Sequence, residues 1–256
     1  EYLQAEAPTT LENIVQIEAG FEHACALEES GEVSCWGKNM DMTNTVETGQ
    51  AQVPDSLGKV SQLALGAYHS CALDEQGVAC WGNNIAGQID VPTELTNVKQ
   101  IVANGSVSCA IDDNGLQCWG SNTNGLIDVP NDLGDISQLS LGVKHACVIA
   151  DNDLKCWGDA FFGQRNIPND LGNVYQVAAG FTHTCALTDT GVRCWGSNFE
   201  KEADAPSDVK NVTELTTTYL HSCVRAGDDI RCWGKNDDGE TIAAGELGKL
   251  SKIVFG

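Results

Sequence analysis

Basic residues are scarce in this chain. Its 256 residues include 14 Lys and Arg against 36 Asp and Glu, so its formal net charge is −22. Proteins that bind nucleic acid neutralise phosphates with Lys and Arg, and anionic membrane surfaces attract the same residues. The acidic excess therefore argues against nucleic-acid partners and favours a soluble protein or one with cationic partners.

Long apolar runs and helical patterns are also absent. No stretch approaches the roughly 18 apolar residues that a membrane-spanning helix needs, so we expect no membrane insertion. No window of about ten residues or more has convincing helical periodicity. The chain begins at Glu1 rather than Met and shows no signal peptide. We therefore expect a mature form from which an export signal has been removed.

Motifs for catalysis are missing as well. The sequence contains no Gly-x-Ser-x-Gly, phosphate-binding loop, His-Glu-x-x-His or dinucleotide fingerprint. Nothing nominates a nucleophile, a general base or a cofactor site. We therefore expect a protein that is not an enzyme and needs no cofactor.

The chain does contain a repeat. Cys-Trp-Gly occurs six times, and from the second copy onward the step is 38 residues. A second cysteine precedes each copy by nine or ten positions, and these pairs account for all 12 cysteines. Self-similarity at a period of about 20–50 residues identifies a repeat architecture. We expect one domain over 1–256, with repeats at about 11–54, 57–92, 95–130, 133–168, 171–206 and 209–244 and a partial unit at 247–256.

Short β-rich runs, separated by clusters of Gly, Asn and Asp, predict strands within each repeat. If Cys71 faces Cys80 in an antiparallel hairpin, then Leu73 faces Val78 around a four-residue loop, because opposed residues keep a constant sum of their numbers. The same rule predicts further opposed pairs, namely Ile149 with Leu154, Leu187 with Val192 and, in the first repeat, Leu27 with Val33.

Directly opposed cysteines lie close enough for a disulfide. Six disulfides are predicted, one within each repeat: Cys25–Cys35, Cys71–Cys80, Cys109–Cys118, Cys147–Cys156, Cys185–Cys194 and Cys223–Cys232. Such bonds persist in oxidising surroundings, which predicts a secreted protein, extracellular or periplasmic. Zinc is the alternative, because His-x-Cys and a second Cys supply three ligands per repeat. It is less favoured, since no Cys-x-x-Cys occurs and Val107 replaces the histidine in the third repeat.

The repeat resembles a known family. Gly180-Phe-Thr-His-Thr-Cys-Ala-Leu187 with Gly191-Val-Arg-Cys-Trp-Gly-Ser-Asn198 is similar to the repeat of the regulator of chromosome condensation family. The likeness runs from about Leu11 to Gly256. It implies an all-β fold, a β-propeller with short blades of three to four strands. The 38-residue unit is more similar to the compact, secreted propellers that inhibit β-lactamases than to the longer repeats of the founding member.

The number of blades is open at this point. There are six complete units, whereas the well-known relatives close with seven. The segment Leu250–Gly256 matches the first strand of a further unit, and Leu3–Pro8 resembles the tail of one. Six blades closed by an overlapping strand are favoured. The alternatives are a seventh blade cut short and an extra strand donated to another molecule, which would build a fibre.

Histidine and tryptophan recur at fixed phases of the repeat. A ring of histidines could bind metal or sense pH. Because the resembling family carries this histidine in members of unrelated function, we expect instead a buried imidazole that hydrogen-bonds backbone near the strand turn. The tryptophans are expected in the core between blades. The positions are His23, His69, His145, His183 and His221, and Trp36, Trp81, Trp119, Trp157, Trp195 and Trp233.

Residues that vary against the repeat are the better guide to function. Strand alternation places the Gly-x-x-His turns and the loops after Trp-Gly at the same end of the fold. Aromatic and basic residues concentrate there, and the first unit carries an insertion within Met40–Gln50 that no core position explains. We interpret them as a binding face, with ordinary loop variation as the alternative. The candidate residues are Phe21, Tyr68, Lys144, Phe161, Phe162, Phe181, Phe199 and Tyr219.

Three weaker patterns remain. Asn236–Glu240 resembles a calcium loop but lacks its alternating spacing, so a solvated turn is expected. Asn104-Gly-Ser106 and Asn211-Val-Thr213 are acceptor patterns for N-glycosylation.

Taken together, these features predict a secreted, disulfide-stapled scaffold that binds another protein or copies of itself without catalysis. The alternative is a self-assembling filament subunit of the cell exterior that uses the unmatched terminal strand. Guanine nucleotide exchange and an enzyme activity are less favoured.

Overall fold

A computed structural model describes residues 7–40, 45–227 and 229–236 of the chain. Within them, all regular structure is β, which confirms the predicted class. Eighteen strands form six antiparallel sheets of three strands each, and the strands of every sheet follow chain order. No helix with the length and hydropathy to cross a membrane occurs in the described residues.

Each sheet takes its three strands from one repeat. The strands are β1 (Ile14–Ala19), β2 (His23–Glu28), β3 (Val33–Gly37), β4 (Val60–Leu65), β5 (His69–Asp74), β6 (Gly77–Gly82), β7 (Gln100–Asn104), β8 (Val107–Asp112), β9 (Gly115–Gly120), β10 (Ile136–Leu141), β11 (His145–Ala150), β12 (Asp153–Gly158), β13 (Val174–Ala179), β14 (His183–Thr188), β15 (Gly191–Gly196), β16 (Val212–Thr217), β17 (His221–Ala226) and β18 (Asp229–Gly234).

The chain divides into two compact units. The first comprises the described residues up to Thr123 and contains β1–β9; the second begins at Asn124 and contains β10–β18. In each unit the first strands of consecutive sheets pack on one another, β1 on β4 and β4 on β7, and β10 on β13 and β13 on β16. The single domain over 1–256 stays a prediction. The partial unit 247–256 lies outside the described residues, as does most of the Leu3–Pro8 segment.

The hairpin register agrees with the sequence rule. Leu73 lies opposite Val78, and the other predicted pairs are opposed in the same way. The loop is tighter than predicted, because Asp74 also pairs with Gly77 and leaves two residues at the tip. Gly77 has a φ of 130°, which a residue with a Cβ rarely adopts, so the tight turn depends on glycine.

Six disulfides join the second and third strands of the six sheets, in the six pairs given by the register. The paired Cα atoms are 4.0–4.1 Å apart. No free cysteine occurs among the described residues. The two sulfurs of each hairpin are therefore bonded to each other and leave no thiolate for the zinc alternative.

Glutamine side chains hydrogen-bond consecutive sheets together within each unit. In the first, the Gln16 amide donates to the Leu63 carbonyl at 2.9 Å and accepts from the Leu63 N–H at 2.9 Å. One amide thus satisfies both main-chain groups of a residue in the next sheet. We call this arrangement the glutamine clasp. It recurs from Gln62 to Ile101, from Gln138 to Val177 and from Gln176 to Leu215.

The repeated histidines form a second link between sheets. His23 Nε2 lies 2.9 Å from the Ser70 hydroxyl, and that hydroxyl donates to the Gln50 carbonyl at 2.8 Å. The hydroxyl has one proton and donates it to the carbonyl, so it can only accept from the imidazole. His23 therefore carries its proton on Nε2. The Trp81 indole donates to the same carbonyl at 3.0 Å. The same imidazole–hydroxyl contact joins His69 to Ser108, His145 to Thr184 and His183 to Ser222.

Two expectations need correction here. The imidazoles were expected to bond backbone near the strand turn, whereas in the four sheets above they reach a hydroxyl of the following sheet, which relays to a carbonyl. The other correction concerns Gln50. We placed it in an insertion without a core role, yet it is fully buried and its carbonyl anchors Ser70 and Trp81.

Apolar residues replace the histidine in one repeat and the hydroxyl in the next. Val107 stands at the histidine position of its sheet, and Ala146 stands at the hydroxyl position one repeat later. Both residues are buried. Each of the two positions therefore tolerates a buried apolar side chain in one repeat of this chain.

Burial controls the charge state of the linked histidines. It lowers the pKa of His23, His69, His145 and His183 to about 4 from the ordinary 6.5. They are thus neutral in the folded protein at neutral pH, while the unfolded chain binds protons at these positions below about pH 6.5.

We expect the free energy of unfolding to fall as the pH drops from about 6.5 to about 4. Each buried histidine contributes up to about 3 kcal/mol to this loss, because the unfolded state binds more protons in that window. Denaturant titrations at a series of pH values measure it. The double variant His145→Val with Thr184→Ala copies the natural Val107 and Ala146 combination, so it should lose one histidine's share of the pH dependence. A pH dependence equal to that of the parent protein would contradict the assignment.

Removal of one cystine by Cys71→Ala with Cys80→Ala should lower the free energy of unfolding by about 3 kcal/mol, because a short loop in the unfolded chain is no longer closed. The thermal midpoint of the variant measures this loss. Mass analysis of the parent protein after alkylation under native conditions is the control, and it should find no modified cysteine. Labelled thiols, or a peptide map that joins cysteines of different repeats, would contradict the pairing.

Candidate functional site

The turn between the first and second strands of each sheet lies beside the segment that follows the third strand. The Asn83 N–H donates to the Tyr68 carbonyl at 2.8 Å, and the Asp159 N–H donates to the Lys144 carbonyl at 2.9 Å. Comparable bonds occur in the other sheets, as from Ser197 to Thr182. The two sets of loops thus share one end of every sheet, which we call the turn end.

In the first unit, two candidate residues meet at the turn end. The ring centroids of Phe21 and Tyr68 are 5.9 Å apart with an interplanar angle of 56°. The Phe21 N–H donates to the Ala67 carbonyl at 3.1 Å, which ties the two turns together. Phe21 remains 65% exposed, and Ile85, in the loop after β6, is 89% exposed.

In the second unit, three consecutive turns build a stack. The rings of Phe181 and Tyr219 are parallel within 19°, with centroids 4.1 Å apart. Lys144 places its Nζ 4.5 Å from the Phe181 centroid on the side of the preceding sheet. A cation over an aromatic face is attracted by the ring quadrupole. The repeat therefore sets three side chains from three sheets in one row.

A second row lies in the loops after β12 and β15. Phe162 contacts Phe161 edge-on at 4.9 Å and Phe199 edge-on at 5.9 Å. Phe161 and Phe199 are 83% and 82% exposed, whereas Phe162 is half-buried between them. Phe161 and Phe199 are thus large apolar rings exposed to solvent, and each is positioned by its contact with Phe162.

Buried side chains of the repeat fix these loops in place. The Phe162 N–H donates at 2.9 Å to the side chain of Gln164, which is fully buried. In the next loop Glu202 has this role and accepts the Glu200 N–H at 2.8 Å. Gln88 and Gln164, each seven positions after a Trp, are the sequence signal for these loop anchors. Our reasoning from the sequence gave it no role.

The structure thus brings the eight predicted face residues together in groups within each unit, and all lie at turn ends. It does not place the histidines among them, because His23, His69, His145 and His183 are fully buried. No cluster of three or more His, Cys, Asp or Glu side chains suited to a metal ion occurs in the described part of the chain. The possible calcium loop lies beyond Asn236, outside the described residues.

A family model for the regulator of chromosome condensation (RCC1) repeat matches residues 14–40, 60–88 and 174–201. These segments contain all three strands of the first, second and fifth sheets. No curated protein sequence matches the chain.

Solved structures extend the likeness over most of the chain. The ectodomain of the Physcomitrella patens receptor kinase CR4 is 26% identical, with a TM-score of 0.71 over 90% of this chain. The chain spans 64% of that ectodomain. The ACR4 ectodomain from Arabidopsis thaliana is 21% identical, with a TM-score of 0.69 over 92% of this chain and 86% of its own length.

Prp20p from Saccharomyces cerevisiae is also similar in fold. It is 20% identical, with a TM-score of 0.68 over 88% of this chain and 69% of its own length. The likeness to β-lactamase-inhibiting propellers stays a prediction. Six three-stranded sheets in chain order, each built from one cystine-bearing repeat, are those of a β-propeller, and three of its segments are similar to the regulator of chromosome condensation repeat.

Proposed function

We propose that the protein is an exported, non-catalytic propeller that binds another protein through the turn end of its sheets. The observation that carries this proposal is the set of exposed aromatic rings in ordered loops, above all Phe161 and Phe199. Aromatic side chains dominate the energetics of protein interfaces because they bury a large area at a small entropic cost.

The geometry of the two rows supports recognition rather than chance exposure. In the second unit, each ring has an aromatic neighbour that limits its rotation, so little conformational entropy is lost when a partner covers it. The edge-on contacts of Phe162 leave the outer faces of Phe161 and Phe199 open to solvent. A patch of preorganised apolar surface of this kind marks an interaction site in a protein that is otherwise strongly charged.

Export is supported by the cystines and by the similar folds. Six disulfides are typical of proteins that fold in an oxidising compartment. Two of the similar folds are ectodomains of receptor kinases. The binding of Gsp1p and histones belongs to Prp20p, whose likeness at 20% identity concerns the fold. Self-assembly into a filament is the alternative, and the terminal segment on which it depends lies outside the described residues.

The double variant Phe161→Ser with Phe199→Ser should lose binding to the protein's partner by about 30-fold or more, since two central aromatic anchors are removed. A photo-crosslinking residue at position 199 of the parent protein, applied to the extracellular fluid of its source, identifies that partner by mass spectrometry. Biolayer interferometry with the purified partner then gives the two dissociation constants.

A matched control is available on the same chain. Tyr175 is 63% exposed but lies in β13, away from the turn end. Tyr175→Ser should leave the dissociation constant unchanged, and a crosslinker at position 175 should not capture the partner. Both variants should keep the thermal midpoint of the parent, because substitutions of exposed residues shift stability by only about 0.5 kcal/mol. Equal affinity for the two variants would overturn the proposed face.

A further inference from the structure

The fourth sheet carries at its turn end the two charges of the first sheet in exchanged positions. In the first sheet Glu22 lies in the turn before β2 and Lys38 follows β3, and the Lys38 N–H donates to the Glu22 carbonyl at 2.7 Å. In the fourth sheet these positions hold Lys144 and Asp159, and the Asp159 N–H donates to the Lys144 carbonyl at 2.9 Å. The main chain therefore sets both pairs of residues side by side in the same way.

The first sheet forms an ion pair from these positions, whereas the fourth does not. Lys38 Nζ lies 2.7 Å from Glu22 Oε2. The Asp159 carboxylate instead accepts the Phe161 N–H at 3.0 Å, within its own loop. It is also one methylene shorter than a glutamate, which reduces its reach toward the turn. None of the six ion pairs among the described residues includes Lys144.

Lys144 is half-buried, and partial withdrawal from water is unfavourable for a cation that has no counter-ion. Its Nζ lies 4.5 Å from the centroid of Phe181, so the ring face gives it one attractive contact. An ammonium group has three N–H donors and no acceptor. The group that would complete its surroundings is therefore an anion.

Phe181 is a spacer in this stack and not an anchor for a partner. Tyr219 covers one of its faces, with centroids 4.1 Å apart and planes within 19°. A cation centred over the same ring at 4.5 Å cannot share that face, so Lys144 covers the other. A partner therefore meets the two ends of the stack. These are the Lys144 ammonium and the outer face of Tyr219, which is 54% exposed.

We propose that this stack binds a carboxylate side chain in an acidic segment of the partner protein, an inference that rests on the proposed function of the turn end. The carboxylate accepts hydrogen bonds from the Lys144 ammonium, and an apolar part of the segment covers Tyr219. A chain with a net charge of −22 repels such a segment over most of its surface, which restricts the segment to this end.

The composition of the turns supports an acidic occupant. In the second unit, the residues between the first position of each turn and its histidine include one cation and no carboxylate. They are Val143, Lys144, Phe181, Thr182, Tyr219 and Leu220. The cation of this row thus meets an incoming carboxylate without a competing acid from the turns themselves.

Selection of a random peptide library, displayed on phage, against the immobilised parent protein tests the charge of the occupant. We expect the enriched peptides to share an Asp or Glu. Their enrichment should fall by about tenfold or more on Lys144→Met, because this variant keeps an apolar contact with Phe181 but loses the charge-assisted hydrogen bond. Enriched peptides without a shared carboxylate, or equal enrichment on Lys144→Met, would overturn the proposal.

Matched variants identify the group that the peptide contacts. Fluorescence polarisation with one enriched peptide gives the dissociation constants, and replacement of its shared acid by the corresponding amide should weaken binding by about tenfold. Lys59→Met changes an exposed lysine before β4, away from the turn end, and should leave the affinity unchanged. Asp159→Asn keeps the acceptor for the Phe161 N–H and should bind at least as tightly as the parent. Binding that occurs only in Asp159→Asn would show that Asp159 already neutralises Lys144, and the proposal would fail.

Failure of this proposal differs in outcome from failure of the proposed function. The experiments on Phe161 and Phe199 test whether the turn end binds a protein, whatever the charge of that protein. Partner binding that is lost with those two rings but unchanged in Lys144→Met would keep the proposed function and exclude the acidic occupant. A single-stranded oligonucleotide that displaces the peptide would identify phosphate as the anion, and this result too would contradict the proposal.

Discussion

The fold depends on hydrogen bonds that cross from one sheet to the next. Each sheet has three short strands and cannot bury its own faces, so its stability comes from the neighbours on which it packs. Small and apolar side chains fill that contact, as Leu63 and Ala72 do in the first unit. Apolar packing alone would allow sheets to slide. The glutamine clasp prevents this, because it bonds one side chain to both main-chain groups of a single residue in the next sheet.

The buried histidines add a second hydrogen bond to the contact between consecutive sheets. Their hydroxyl partners already donate to a loop carbonyl, which fixes the tautomer and therefore the orientation of each ring. The glycine that precedes His23, His69 or His183 by three positions makes room for that imidazole. A Cβ on Gly66, for example, would lie 2.0 Å from His69 Cε1. The Gly-x-x-His pattern is thus a packing requirement, and the two residues in between are left to vary and to form the proposed binding face.

The sequence predicted the parts of the structure that are local or periodic. Strand pairing, the six cystines and the shared end of the loops all follow from register within one repeat, and Cys71 and Cys80 needed no knowledge of the neighbours. The contacts between repeats were not predictable in this way. Gln16 and Leu63 are 47 residues apart, and no alternation rule connects them. Nor could the stacking of Phe181 on Tyr219 be derived, since ring orientation depends on loop geometry and not on spacing.

The position of each cystine also determines how the protein tolerates cleavage. A protease that reaches a hairpin tip, such as Glu75–Gln76, cuts between the second and third strands of one sheet. The bond between Cys71 and Cys80 spans that tip, so both cut ends stay covalently attached. Every described sheet has an equivalent bond. A molecule nicked at its hairpins would keep its strands and its loop surface, and the damage would become visible only on reduction.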